Sequence, residues 1–136
     1  MTELQQKRKE RRKQTAEDFT PLELVDEMLD KLPPEVFTDP EKTFCDPAAG
    51  DGNFLIQVLL RKLKHGSDPL KALSTIYGVE LMPDKVEEMK ERLLEPIPVE
   101  LHKKAMEILD HNIRCHDALT WDFENWRGAA KAQPLF

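Results

Sequence analysis

The segment FCDPAAGDGNFL, residues 44–55, limits what this chain can fold into more than any other stretch. A short apolar run ends in an acid, a proline and two small residues. Gly50 and Gly52 follow, and then a new apolar run begins. Chains are written this way where a buried strand turns sharply into a helix around a small molecule. The two glycines permit positive φ and let backbone amides approach a ligand closely. A helix beginning near Asn53 points its amino end at the same place, which favours phosphate or carboxylate.

The rest of the chain alternates around this turn. PLELVDEMLDKL (21–32) places Val25, Met28, Leu29 and Leu32 at helical spacing, with Thr20 as cap and Pro21 in the first turn. Pro33 and Pro34 end that helix. KTFCD (42–46) reads as a buried strand, and NFLIQVLLRKLK (53–64) as a helix that is apolar nearly all round until Arg61. A short helical turn is expected over 68–74 and a second strand over TIYGVEL (75–81). A helix follows over 83–94, with Asp84 and Arg92 suiting its dipole. A further helix is expected over 99–112 and a third strand over 112–118. Residues 119–134 read as a polar, turn-like segment anchored by Trp121, Phe123 and Trp126, and PLF (134–136) begins a new apolar run. Strands alternating with helices predict βαβ units and a parallel α/β sheet. In such sheets ligands bind beyond the carboxyl ends of the strands.

Three strand ends therefore carry the chemistry. A dinucleotide loop would place glycine where Leu55 stands, and a Walker loop would need Gly-Lys-Ser or Gly-Lys-Thr, which Asp51-Gly52-Asn53 is not. Asp46, before the glycines, is poorly placed for pyrophosphate and well placed for an ammonium group. With an anion-favouring helix end beside it, the ligand resembles an amino acid. Glu80 ends the second strand and can accept from a ribose diol. Leu81 and Met82 follow and can cover a purine face. Asp117 ends the third strand and can accept from an exocyclic amine. Ammonium, ribose diol and adenine amine together describe S-adenosyl-L-methionine.

DPAAGDGNFL, with the helix DFTPLELVDEML (18–29) before it and IYGVEL and CHDAL after it, resembles the N6-adenine-specific DNA methyltransferases of restriction–modification type. The resemblance covers roughly residues 18–120. It implies a Rossmann-like fold and cofactor contacts from Thr20, Asp46, Pro47, Ala48, Gly50, Gly52, Phe54, Glu80, Leu81 and Asp117. That family also carries Asn or Asp, Pro-Pro and an aromatic residue after its fourth strand. The acceptors of that motif hold a flipped adenine's amine while the ring stacks. The 136 residues hold no such motif, since the one Pro-Pro pair is Pro33-Pro34. The expectation is thus a partial, truncated methyltransferase-like domain (18–136) that binds the methyl donor and does not methylate alone. Two alternatives stand beside it. One is an active enzyme using other residues, such as Asn125 and Trp126, or a partner chain. The other is a non-catalytic interaction module on the same fold.

Charge and composition bound the partners. Residues 1–13 carry six bases (Lys7, Arg8, Lys9, Arg11, Arg12 and Lys13) against two acids, and the remainder carries 14 bases against 24 acids. The basic arm, residues 1–17, reads either as a solvated segment or as a contact for nucleic-acid phosphate. A sheet of three strands leaves an edge and an apolar face to cover, so a second copy or a partner subunit is expected. Cys45 and Cys115 read as reduced core residues, which with the lack of a signal-peptide core suggests a cytoplasmic chain. His65, His102, His111 and His116 show no metal-ligand spacing, so no metal is expected. No apolar run approaches a membrane span.

Overall fold

The computed structural model describes residues 2–6 and 21–126. Thr20, the basic residues 7–13, the boundary drawn at 17/18 and the PLF run all lie outside the described residues. The described elements are α1 (Leu22–Asp30), α2 (Glu35–Thr38), β1 (Phe44–Asp46), α3 (Asn53–Lys64), α4 (Pro69–Ser74) and β2 (Ile76–Glu80). They continue with α5 (Pro83–Leu94), a 3-10 turn (Val99–Leu101), α6 (His102–Asn112), β3 (Ile113–Cys115) and α7 (Phe123–Trp126). The α/β architecture expected from the alternation is present. The strands form a parallel sheet in the order β1-β2-β3.

Each strand advances the sheet in one direction, and right-handed crossovers then place the connecting helices on one face. Phe44, Ile76 and Ile113 point to that face. There they join Val25 and Leu29 of α1, Leu55, Val58 and Leu59 of α3, Leu73 of α4, Met89 and Leu93 of α5, and Leu109 of α6. Each fully buried side chain of this size contributes on the order of 1.5–3 kcal/mol. Gly78, in the middle of β2, lets α3 come close. A Cβ there would lie 2.8 Å from Leu55 Cδ1 and 3.3 Å from Ala49 Cβ.

The alternate residues Cys45, Tyr77 and Val79 form the opposite face, and Trp126 covers them. Its ring meets Tyr77 edge-on at 5.0 Å between centroids, and its indole N–H donates to the His111 carbonyl at 2.6 Å. Trp121 and Phe123 pack around it. The tryptophan-bearing segment is therefore an anchor, as the sequence suggests. The apolar sheet face expected to lie open is covered by this chain itself.

Other differences are local. Pro21 takes the cap position of α1 with extended ψ, one residue earlier in the helix frame than expected. Pro34 ends nothing further and instead starts α2, whose Phe37 stacks on Phe44. Cys115 is free and exposed, not a core residue. It sits on the outer strand β3, of which only Ile113 is buried. Cys45 is in no disulfide and is buried, as expected of a core thiol. Among the described residues no helix is long and apolar enough to cross a membrane.

Lys62, on the inner face of α3, is fully buried. Its Nζ donates to the Lys42 carbonyl at 2.7 Å and lies 5.4 Å from the centre of the Phe44 ring. Burial lowers its pKa from 10.5 to about 8. Between those values the unfolded chain holds a proton that the folded chain has lost, so folding gains from rising pH across that window. The parent is expected to gain stability relative to Lys62→Met as pH is raised from about 8 towards 10.5. Denaturant titrations across the window check this, and parallel pH profiles would contradict it.

Candidate functional site

The site is built where three parallel strands end. Asp46 of β1 lies beside Gly78, and Glu80 of β2 lies beside Cys115. The strand ends span two strand spacings, roughly 10 Å, which is the scale of a nucleoside. The connections leaving these ends bend over one another. Ala49 N–H donates to the Val79 carbonyl at 3.0 Å, and His116 N–H to the Glu80 carbonyl at 3.1 Å.

The glycine turn takes the form expected of it. Gly50 has φ +59° and Gly52 φ +90°, both in the left-handed region that side chains resist. The two glycines serve different ends. No atom lies within 4 Å of where a Cβ on Gly50 would sit, so the backbone is open on that side. A Cβ on Gly52 would meet Met89 Cγ at 2.6 Å, so Gly52 lets α5 pack against the start of α3. Gly52 is also the cap residue of α3, and its carbonyl accepts the first helical bond from Ile56.

Asp46 is almost wholly buried, and its Oδ1 accepts the Ala48 N–H at 3.0 Å. Desolvation raises its pKa above the usual carboxylate range; the Ala48 bond opposes this, and the nearby charge of Glu80 adds to it. In the window between the usual and the raised value the folded chain holds the extra proton. The ionised form therefore costs stability as pH rises through that window. A cation arriving between Asp46 and Glu80 would relieve the same cost.

Glu80 is more constrained than a lone ribose acceptor. Its Oε1 accepts the Gly50 N–H at 3.1 Å and its Oε2 accepts the Met82 N–H at 2.8 Å. One carboxylate thus ties the glycine turn to the start of α5. Each oxygen has a second lone pair, which leaves room for a diol. Leu81 beside it is 66% exposed, a bare apolar surface next to that carboxylate.

Asp117 lies beyond the strand that was expected to end with it. β3 stops at Cys115, and Asp117 sits in an exposed turn where its Oδ1 accepts the Leu119 N–H at 2.9 Å. Phe54 is buried in the main core at the first turn of α3, so its ring backs the turn from below. Pro47 is half-buried and Ala48 exposed on the turn's outer side. Trp126 is buried under Tyr77 and Asn125 bonds to Asp122, so that pair is not an open amide-and-aromatic site. Among the described residues no group of three or more His, Cys, Asp or Glu is arranged to hold a metal ion.

Two residues escaped the sequence reading. Gly78 had a signal, since a glycine inside a strand often marks close backbone approach. Arg92 had none beyond its helix position, yet its Nη1 donates to the Asp51 carbonyl at 3.2 Å and to Asn53 Oδ1 at 2.8 Å. Two grooves lie outside the glycine turn. One of about 470 Å³ separates α1 from α3, and one of about 310 Å³ lies along α5, α6 and β3. Ala48, Leu81 and Asp117, which follow the three strand ends, are all exposed.

Set against known proteins, no protein-family model matches the chain, and no solved structure matches it. A stretch of 77 residues is 36% identical to the Type II methyltransferase M.VspI of Vibrio sp. (strain 343). The stretch is 57% of this chain and 16% of that relative, so the chain matches only a small part of the relative's length. The match supports a relationship to methyltransferases.

The two glycines separate in a stability test. Gly50→Ala is expected to cost about 1 kcal/mol, the conformational penalty alone. Gly52→Ala adds overpacking against Met89 and is expected to cost roughly 2–4 kcal/mol in total. Equal losses in denaturant unfolding would contradict the assignment of Gly52 to packing.

Proposed function

We propose that this chain is the S-adenosyl-L-methionine-binding part of a methyltransferase of Rossmann-like fold, of the kind that methylates adenine in DNA. The observation that carries the reading is that Asp46 and Glu80 end adjacent parallel strands, around a glycine turn open at Gly50. The donor set suits this ligand. A buried carboxylate suits a cation, a second carboxylate keeps lone pairs that suit a ribose diol, and Leu81 offers an apolar surface for a base. The open backbone at Gly50 fits a ligand pressed against the turn. When bound, the cofactor supplies an electrophilic methyl group on a sulfonium. Similarity to a Type II methyltransferase supports the same ligand class.

In this reading Asp46 holds the ammonium, Glu80 orients the ribose while keeping the glycine turn in place, and Asp117 accepts from the adenine amine. Pro47, Ala48, Gly50, Gly52, Phe54 and Leu81 shape the walls, and Thr20 borders the methionine end. The 136 residues carry no Asn/Asp-Pro-Pro-aromatic motif, so methyl transfer by this chain alone is not expected. A DNA contact is assigned to the basic residues 7–13 or to a partner chain.

Isothermal titration is expected to show S-adenosyl-L-methionine binding. Asp46→Ala and Glu80→Ala should each weaken it about 10- to 100-fold, the worth of a charge-assisted hydrogen bond. Affinity should fall as pH drops through the raised pKa of Asp46, because the protonated carboxyl no longer pairs with an ammonium. Asp46→Asn should flatten that dependence. An intact chain that gives no binding heat overturns the reading.

The outer strands of the sheet, β1 and β3 among the described residues, are also part of the proposal, as the place where a second copy or partner strand adds. Light scattering at micromolar concentration should report more than a monomer. A clean monomer would remove self-association.

A further inference from the structure

Arg92 ends its helix far from Asp51 in sequence, and its guanidinium nevertheless holds the turn that joins β1 to α3. One nitrogen, Nη1, donates to the Asp51 carbonyl at 3.2 Å and to Asn53 Oδ1 at 2.8 Å, and stands 3.5 Å from Asp51 Oδ2. The side chains of Arg92 and Asp51 are only 29% and 14% exposed, so solvent screens the pair weakly.

The pairing answers an electrostatic difficulty in the loop itself. Asp51 immediately precedes Gly52, the cap of α3, and its Oδ1 accepts the Asn53 N–H at 3.3 Å. Asp51 therefore puts a negative charge of its own beside the helix end that would attract a ligand's carboxylate. Left alone, it would repel that carboxylate. Arg92 cancels the charge and fixes the atoms on both sides of Gly52. The same α5 presses Met89 against Gly52, and its leading residue Met82 shares the Glu80 carboxylate with Gly50. Helix α5 thus grips the turn at three points, and Arg92 is the charged one.

We infer that Arg92 is a positioning residue for the glycine turn, holding its shape and neutralising Asp51 so that the turn accepts a ligand's carboxylate. The first half rests on the geometry alone. The second rests on the ligand proposed above.

Hydrogen exchange of the ligand-free chain tests the first half. In Arg92→Met the amides of residues 50–54 should exchange about tenfold faster, the worth of one charge-assisted bond, while the Leu109 amide in α6 is unchanged. Titration with S-adenosyl-L-methionine and with adenosine, which lacks the amino-acid end, tests the second. Arg92→Met should lose about tenfold affinity for the first ligand and none for the second. Adding Asp51→Asn should restore most of the loss. Arg92→Lys, which keeps the charge, should fall between parent and Arg92→Met, and it carries the test if Arg92→Met does not fold. Unchanged exchange at residues 50–54 overturns the inference. Equal losses for both ligands without rescue by Asp51→Asn overturn the electrostatic half. If the parent binds neither ligand while exchange accelerates, the proposed ligand falls and the holding of the turn stands.

Discussion

The Glu80 carboxylate is the interaction on which the site depends. It ends β2, and its two oxygens accept from Gly50 on one side and Met82 on the other. One acid thus joins the turn after β1 to the helix after β2. A buried or half-buried carboxylate with two backbone donors is held in one orientation, because leaving those donors unmet would cost about 1–3 kcal/mol each. The turn is consequently shaped before any ligand arrives, and preorganisation of this kind reduces what binding must spend on ordering.

The sheet explains why the acids meet. Three parallel strands run in sequence order with every crossover on one side, so their carboxyl ends share one edge of the molecule. Helices α3 and α5 leave from adjacent strand ends and lie against each other over Gly52 and Met89. Gly78 lets α3 sit close enough for Ala49 to bond the Val79 carbonyl. At the opposite pole Lys62 is buried to serve the Lys42 carbonyl before β1. Buried Asp46 and buried Lys62 thus stand at opposite ends of β1. The perturbed carboxyl is the one that stands at the strand ends.

What the sequence disclosed followed from how local each signal is. The turn at Gly50 and Gly52, the helices over 53–64 and 83–94, and the strand containing Tyr77 and Val79 are written in patterns only a few residues long. The grip of Arg92 on Asp51 and Asn53, about forty positions away, has no such pattern. Neither does the bond from the Gly50 N–H to Glu80, which gives a residue read as a ribose acceptor a partner within the chain. Cys115, between Arg114 and His116 in a segment read as a buried strand, is exposed because β3 is an outer strand. The tryptophans after β3 were legible as anchors, but only the fold shows that they cover Tyr77 and Val79.

The central claim is that a nucleoside bearing an amino acid lies across the three strand ends. Amide chemical-shift mapping of the isotopically labelled chain during addition of S-adenosyl-L-methionine tests it most directly. The account predicts that the largest shifts cluster at residues 46–54, 80–82 and 117–119, with α6 and the Trp126 region little changed. Absence of shifts at saturating ligand, or shifts concentrated in the groove between α1 and α3, would contradict it.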